Sequence, residues 1–257
     1  MDVGLNHSTE EQAMKSTAFS LAAGILVFCG MGQVQAGIIV TVDPAGVQSS
    51  QLPQVRTETF DQFANGTSYT SLSTAVGNLV AADGDKFAVV NADQYGGAGG
   101  TGKFLAIGAQ TGYFATSEVV TLNLPGAQTS LGLWWSAADR GNEVQLYSNN
   151  QLLGTYTTSS LFGSAGSSYY GNPNSGQDSG EPFAYINFRA TDGTTFDKVV
   201  FSENLPGAGF EIDNISIPNF QSVSPAPAGV PEPSGLVMLL GLGGMGIIGW
   251  WRTRRVG

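Results

Sequence analysis

The sequence predicts an all-β protein, a two-sheet β-sandwich of jelly-roll type, over residues 37–220. Gly supplies 36 of the 257 residues and charged residues only 12%, a composition typical of short strands joined by tight turns. Apolar side chains alternate at period two, with turn residues roughly every 10 positions, and no helical stripe exceeds about two turns. A closed barrel has the same periodicity and stays open as an alternative.

The strand series runs through most of this region, and two of its turns are marked by residues that tolerate positive φ. Asn149-Asn150 predicts a hairpin, and Asp192-Gly193 predicts a turn between two paired strands. "PGAQ" (125–128) predicts a further turn. The main strand runs are "SEVVTLNL" (117–124), "TSLGLWWS" (129–136), "EVQLYS" (143–148), "QLLGTYT" (151–157), "FAYINFRA" (183–190), "FDKVVFSE" (196–203) and "GFEIDNISI" (209–217).

A leader precedes this body. Translation is predicted to start at Met14, because residues 14–36 hold an early Lys, an apolar run and small residues at positions 34 and 36. We predict a signal peptide (1–36 as numbered) that signal peptidase cleaves after Ala36; a buried amphipathic helix is the alternative. Cleavage removes Cys29, the only cysteine, so the mature chain has no disulfide and no thiol nucleophile.

Charge and residue types limit the possible chemistry. The net charge is −10, and residues 37–220 alone hold 6 basic and 16 acidic side chains, again −10. An acidic body without a basic stripe argues against nucleic acid. The one His, His7, precedes the predicted start at Met14, which argues against His-dependent triads and metal centres. Two-carboxylate glycosidase chemistry stays open, but no acidic pair stands out, so we expect a protein that is not an enzyme.

The last strand contains a phase slip. Phe210 and Ile212 share one face of "FEIDNISI", whereas Ile215 and Ile217 follow a phase shifted by one residue. A single slip of this kind predicts a β-bulge at Asp213-Asn214.

The bulge raises the question of a metal ion. Asp213 and Asn214 offer hard oxygen ligands, and Asp139 and Asn142 in "SAADRGNEV" are the partners expected from another loop, so calcium is one interpretation. The alternative is that Asp and Asn bond to nearby backbone and fix the edge of a sheet. The sequence therefore assigns no metal site and no cofactor, with calcium left open.

Two glycine-rich stretches interrupt the strands and are predicted to be loops on the sandwich rim. They are the first glycine-rich loop (91–104) and the second glycine-rich loop (163–183). Tyr169 and Tyr170 in the second suggest a sugar-contacting surface; plain linker is the alternative. Trp134-Trp135 alternate in one strand, which predicts one core Trp and one that faces outward toward a ligand.

The carboxyl-terminal segment has three parts. A Pro-rich linker (221–234) precedes 17 uncharged residues (235–251), and a basic tail (252–257) follows. Seventeen residues are the lower limit for a transmembrane helix, and six of them are Gly, which weakens the helix. The Arg residues hold the end in the cytoplasm, so the body faces outward.

This tripartite tail resembles the PEP-CTERM sorting signal of Gram-negative bacteria, and "FEIDNISI" is similar to the last strand of many PEP-CTERM ectodomains. The resemblance implies processing by an exosortase, a membrane protease-transpeptidase, after transient anchoring in the inner membrane. It also implies a cell-surface or matrix location, with exopolysaccharide and biofilm as the setting. A plain single-span anchor is the alternative. The residues that match the signal are Val230, Pro231, Glu232, Pro233, Arg252, Arg254 and Arg255.

The sequence thus predicts an exported, non-catalytic surface protein that contacts extracellular polysaccharide. A surface-displayed glycan-active enzyme and a purely structural coat or adhesion subunit are the two alternatives.

Overall fold

The computed structural model describes residues 34–35, 37–108, 115–116 and 118–219, which form fifteen β-strands and one short α-helix. The helix α1 spans Thr158–Phe162, and 3-10 turns lie at Ala82–Gly84, Ala98–Gly100 and Ser167–Tyr169. The strands are β1 (Val34–Gln35), β2 (Ile38–Val42), β3 (Val55–Glu58), β4 (Thr67–Tyr69), β5 (Ser71–Thr74), β6 (Gly77–Ala81), β7 (Phe87–Asn91), β8 (Lys103–Ile107), β9 (Val119–Gln128), β10 (Ser130–Ser136), β11 (Asn142–Ser148), β12 (Gln151–Thr157), β13 (Ala184–Ala190), β14 (Phe196–Glu203) and β15 (Phe210–Pro218).

Two predicted segments cannot be compared with this fold. The leader (1–36), with its cleavage site at Ala36, lies outside the described residues except for β1. The linker, apolar segment and basic tail (221–257) lie outside them entirely. Within the ranges that the structure describes, no helix is both long and apolar enough to cross a membrane.

The described strands form two antiparallel sheets. Sheet 1 has nine strands in the order β1-β2-β13-β10-β15-β8-β7-β4, with β3 added beside β15. Sheet 2 has six strands in the order β12-β11-β14-β9-β6-β5. The fold is therefore all-β and sandwich-like, and the fold class is confirmed at this level. The jelly-roll assignment stays a prediction.

One core fills the space between the sheets. Its centre is aromatic: the ring centroids of Trp135 and Phe210, both from sheet 1, lie 4.7 Å apart. Phe201 of sheet 2 meets Phe210 edge-on at 6.0 Å, and Tyr156 of sheet 2 lies 5.1 Å from Phe188. Because the described residues contain no cysteine and hence no disulfide, this apolar contact between the sheets is the main stabilising feature of the fold.

The hairpin prediction at Asn149-Asn150 is confirmed. The two residues have φ of 48° and 66° and connect β11 to β12, with Ser148 opposite Gln151. Both central residues at positive φ give the turn that matches strand twist, and Asn tolerates that conformation.

One predicted strand pair and one predicted turn are wrong. The turn at Asp192-Gly193 exists, with φ of 54° and 75°, but β13 belongs to sheet 1 and β14 to sheet 2. Likewise "PGAQ" (125–128) is part of β9, and the chain then crosses from sheet 2 into β10 of sheet 1. The physical reason is that period-two alternation shows only which side chains face the core. The same alternation is found whether the next strand pairs in the same sheet or the chain crosses to the other sheet.

Candidate functional site

The β-bulge predicted in β15 is confirmed at the predicted position. Opposite β10, Asp213 pairs with Trp134 but Ser216 pairs with Gly132, so β15 has one extra residue. Asn214 has φ of 47°, as expected for a polar residue in the left-handed region. On its other edge, β15 pairs with β8 before the bulge and with β3 after the bulge.

The two bulge side chains bind neighbouring loops. Asp213 is buried, and its carboxylate accepts hydrogen bonds from the Ala98 N–H at 2.8 Å and the Asn214 N–H at 2.6 Å. The Asn214 amide donates to the Gln48 carbonyl at 2.7 Å. Tyr185 donates its hydroxyl to the Asn214 carbonyl at 3.1 Å. This arrangement matches the backbone-bonding alternative, in which the pair fixes loop positions.

The calcium set suggested by the sequence is not assembled. Asn142 is fully buried and structural: its Oδ1 accepts from Trp135 Nε1 at 3.1 Å, and its Nδ2 donates to the Gly209 carbonyl at 2.8 Å and to Glu203. Asp139 is half-buried beside Glu181. In the part of the chain that the structure describes, no three His, Cys, Asp or Glu side chains are placed to hold a metal ion.

The prediction of an outward-facing tryptophan needs correction. Trp134 and Trp135 do point to opposite faces of sheet 1, but both are 0% exposed. Trp135 lies in the core between the sheets, whereas Trp134 packs on the outer face with Ala137, Phe183 and Tyr185. The outer face of sheet 1 is covered around Trp134, which the sequence pattern of one strand does not reveal.

The two glycine-rich loops provide part of this cover, so they extend from the strand ends onto the outer face of sheet 1 and are not confined to the predicted rim. Tyr95 and Ala98 of the first loop pack against the Trp134 cluster, and Phe183 of the second loop belongs to it. At about 25 cal/mol per Å², complete burial of a side chain as large as Trp134 contributes about 4 to 6 kcal/mol to folding, and the loop cover supplies part of this.

The tyrosines singled out in the second loop differ from each other. Tyr169 is partly buried, packs against the main core and donates its hydroxyl to the Asp43 carbonyl at 3.1 Å. Tyr170 is 42% exposed. Neither lines the cavity described next.

A polar cavity of about 600 Å³ lies between the two glycine-rich loops and opens to solvent. Among the described residues that line it, none is Lys or Arg, and Asp93 carries the one carboxylate. The lining otherwise offers amides, one hydroxyl, one phenol and loop backbone. It consists of residues 92–95, Gly99 and Gly100 of the first loop, and Asn172, Asn174, Ser175 and Gln177 of the second.

Asn172 joins the two walls of the cavity. From the second loop, its buried side-chain amide donates to two carbonyls of the first loop, those of Asp93 at 3.2 Å and Gln94 at 3.0 Å. Its Oδ1 accepts from the Asn174 N–H at 2.9 Å. This side chain therefore connects the two loops directly.

A second connection runs through Gln48. Its side-chain amide exchanges hydrogen bonds with that of Asn174, both at 3.1 Å, and its Oε1 also accepts from the Gly99 N–H at 2.6 Å. Since the Gln48 carbonyl accepts from Asn214, the β15 bulge, the segment around Gln48 and both cavity walls form one hydrogen-bonded network.

One glycine is required by close packing in the first loop. Gly97 has φ of +92°, and a Cβ placed there would lie 2.2 Å from the Ala92 Cβ. The loop can therefore fold back on itself only with Gly at this position.

Burial raises the pKa of several acids outside the cavity lining. It raises the pKa of Asp213 to about 8, although the Ala98 and Asn214 N–H groups oppose the change. Burial also raises the pKa of Asp43, against a hydrogen bond from Asn187. The pKa of Glu203 rises to about 7 for the same reason, opposed mainly by the Leu205 N–H.

Sequence reasoning identified the loops and the bulge but missed Gln48, Tyr95, Asn172 and Asn174. A signal was available for the cover: in β10 Trp134 has apolar neighbours on both sides, and a strand with apolar side chains on both faces is typically buried on both. No signal in the sequence indicates that Asn172 reaches the other loop.

Comparisons with known proteins identify no family. No protein-family model matches the chain, and no curated protein matches it. Among solved structures, the chain is similar to the K2 cleaved adhesin domain of Lys-gingipain (Kgp), with 16% identity and a TM-score of 0.39. The similarity covers 63% of this chain and 97% of that domain. At this distance function must be inferred from the site itself.

Proposed function

We propose that this chain is an exported, non-catalytic surface or matrix protein whose sandwich binds neutral extracellular polysaccharide in the cavity between the glycine-rich loops. The polar lining of this cavity carries the proposal. Amide, hydroxyl and carboxylate groups are the partners that sugar hydroxyls need, both as donors and as acceptors. The partly buried ring of Tyr95 adds an apolar surface against which a sugar ring packs.

The charge of the lining favours a neutral glycan over an anionic one. Asp93 contributes a negative charge, the described lining residues contribute no positive one, and the whole chain has a net charge of −10. An anionic polymer would meet repulsion without a compensating ion pair.

Binding is favoured over hydrolysis by the carboxylate count. Two-carboxylate glycoside hydrolysis needs a pair of acids on either side of the scissile bond. The described lining offers Asp93 alone, and Glu203 and Glu211 are buried in the interior. New reducing ends after incubation of glycans with the protein would argue for the glycan-active enzyme instead.

The tail supports the proposed location. We infer that the jelly-roll-like body is exported behind a cleaved signal peptide and held transiently in the inner membrane by the apolar segment 235–251. An exosortase then cuts near Pro231-Glu232-Pro233. The surface-exposed form should lack Arg252, Arg254 and Arg255, which mass spectrometry of surface fractions tests; their presence there would identify an ordinary anchor.

The cavity is tested by retention of the purified protein on immobilised exopolysaccharide from the producing organism. Gln94→Ala combined with Gln177→Ala should abolish retention, because both side chains line the cavity and neither takes part in the described hydrogen bonds between the loops. Gln151→Ala, an exposed amide on sheet 2, is the matched control and should be retained normally. Loss of retention in the control, or none in the double variant, would contradict a site in this cavity.

A further inference from the structure

A group of carboxylates lies behind the second glycine-rich loop, separate from the lining of the cavity. Glu211 of β15 is opposite Ser136 at the end of β10, and Asp139 follows three residues later. Glu181 is brought to the same place because the Pro182 carbonyl accepts the Ala138 N–H at 3.0 Å. One strand and two loops therefore carry the three acids to the same region of the fold.

Glu211 is the unusual member of this group. Its side chain is 0% exposed, and neither carboxylate oxygen has a hydrogen-bond partner among the described residues. The neighbouring charges that act on it, those of Asp139, Glu181, Asp93 and Glu203, are all negative. Burial raises its pKa well above the usual range, and these charges raise it further.

The acids around Glu211 show the same shortage of positive charge. Burial raises the pKa of Glu181 to about 9, and the neighbouring carboxyl groups of Asp178 and Asp139 raise it further. Asp178 Oδ2 is also buried without a hydrogen-bond partner. Arg140, which acts on Asp139, is exposed.

A proton does not fully resolve the position of Glu211. Protonation removes the charge, but the resulting O–H donor and the carbonyl oxygen would still lack partners, at a cost comparable to that of any buried unsatisfied polar group. A bound cation satisfies both oxygens and compensates the surrounding negative charge as well. Asp139, Asp178 and Glu181 are only partly buried, so an ion can enter from their side.

We propose that Glu211, with Asp139 and Glu181, binds a Ca²⁺ ion that holds the second glycine-rich loop against sheet 1. Ca²⁺ suits these ligands because it takes six to eight oxygens in flexible geometry, including carbonyls and water. No described group of three acids already surrounds one point, so binding must turn Asp139 and Glu181 toward Glu211. This site differs from the Asp213-Asn214 bulge, whose side-chain groups bind loop backbone.

Calorimetric titration of the chelator-treated, purified protein with CaCl₂, and with MgCl₂ in parallel, tests the site without any glycan. The result is therefore independent of the proposed polysaccharide binding. We expect saturable Ca²⁺ binding and a rise in Tm of about 5 °C or more once Ca²⁺ exceeds its Kd about a hundredfold. Absence of binding heat together with an unchanged Tm would overturn the proposal.

Glu211→Gln assigns the site, because it keeps the shape of the side chain and removes its charge. It should abolish the Ca²⁺-dependent rise in Tm, whereas Glu118→Gln, which removes the same charge at an exposed position before β9, should retain it. Glu181→Gln lies in the loop and provides the same test if Glu211→Gln does not fold. A full Ca²⁺ response in either cluster variant would also overturn the proposal.

Discussion

Asn172→Ala is the change that most directly tests how the cavity is held open. The substitution removes three hydrogen bonds made by a side chain that is 1% exposed: two donated to carbonyls of the first glycine-rich loop and one accepted from Asn174. At about 1 kcal/mol net for each bond, the closed arrangement of the loops should lose about 2 to 3 kcal/mol, since the open cavity lets water reach some of the freed carbonyls.

Native-state hydrogen exchange measures this loss. The N–H groups of Ala98 and Gly99 donate to Asp213 and Gln48, so they exchange when the first loop opens. A loss of 2 to 3 kcal/mol corresponds to exchange about 30- to 150-fold faster at these two amides. Amides in β14, inside the sandwich, should change little because the main core is separate from the loop contacts.

The control for this experiment is Asn123→Ala, which truncates an exposed Asn on β9 of sheet 2. Its Ala98 and Gly99 amides should exchange at the wild-type rate. Unchanged exchange at both amides in Asn172→Ala would refute the conclusion that Asn172 joins the two loops.

Three further outcomes are expected. Gly97→Ala should weaken glycan retention and lower Tm more than Gly99→Ala. Both positions have positive φ, but only at Gly97 would an added Cβ clash, at 2.2 Å from the Ala92 Cβ. Equal effects of the two substitutions would exclude packing as the reason. Glu203 has its pKa raised to about 7 by burial, so the folded chain keeps a proton that the unfolded chain loses between pH 4.5 and 7. The free energy of unfolding should therefore fall by about 2 to 3 kcal/mol from pH 5 to pH 8 in urea titrations, and Glu203→Gln should remove this part of the fall; an identical pH dependence in the variant would count against it. Tyr170→Ser should leave retention on polysaccharide unchanged, because Tyr170 lies outside the cavity lining. Loss of retention in this variant would indicate that the polysaccharide binds on the exposed side of the second loop instead.

Much of the local structure could be predicted from the sequence because it depends on neighbouring residues. The bulge followed from the phase slip between Ile212 and Ile215, and the hairpin followed from two residues that tolerate positive φ. Both features are decided within a few residues, where alternation and backbone preference act directly.

The site could not be predicted in the same way because it depends on contacts between distant segments. Asn172 forms hydrogen bonds with Asp93 and Gln94, which lie 79 and 78 positions earlier in the sequence. Gln48 forms a hydrogen bond with a side chain 126 positions away. Glu211 looks like an ordinary polar position of an alternating strand until the loops are seen to cover sheet 1. The crossings of β9 to β10 and of β13 to β14 were missed for the same reason: pairing is decided by the whole fold.

The most direct test of the proposed glycan site is an NMR titration of the ¹⁵N-labelled protein with neutral oligosaccharides released from the producing organism's exopolysaccharide. Binding in the cavity requires the largest amide shift changes at Tyr95, Gly99 and Asn174, on the two facing walls. Shift changes confined to sheet 2, or no changes with any neutral oligosaccharide at millimolar concentration, would contradict it.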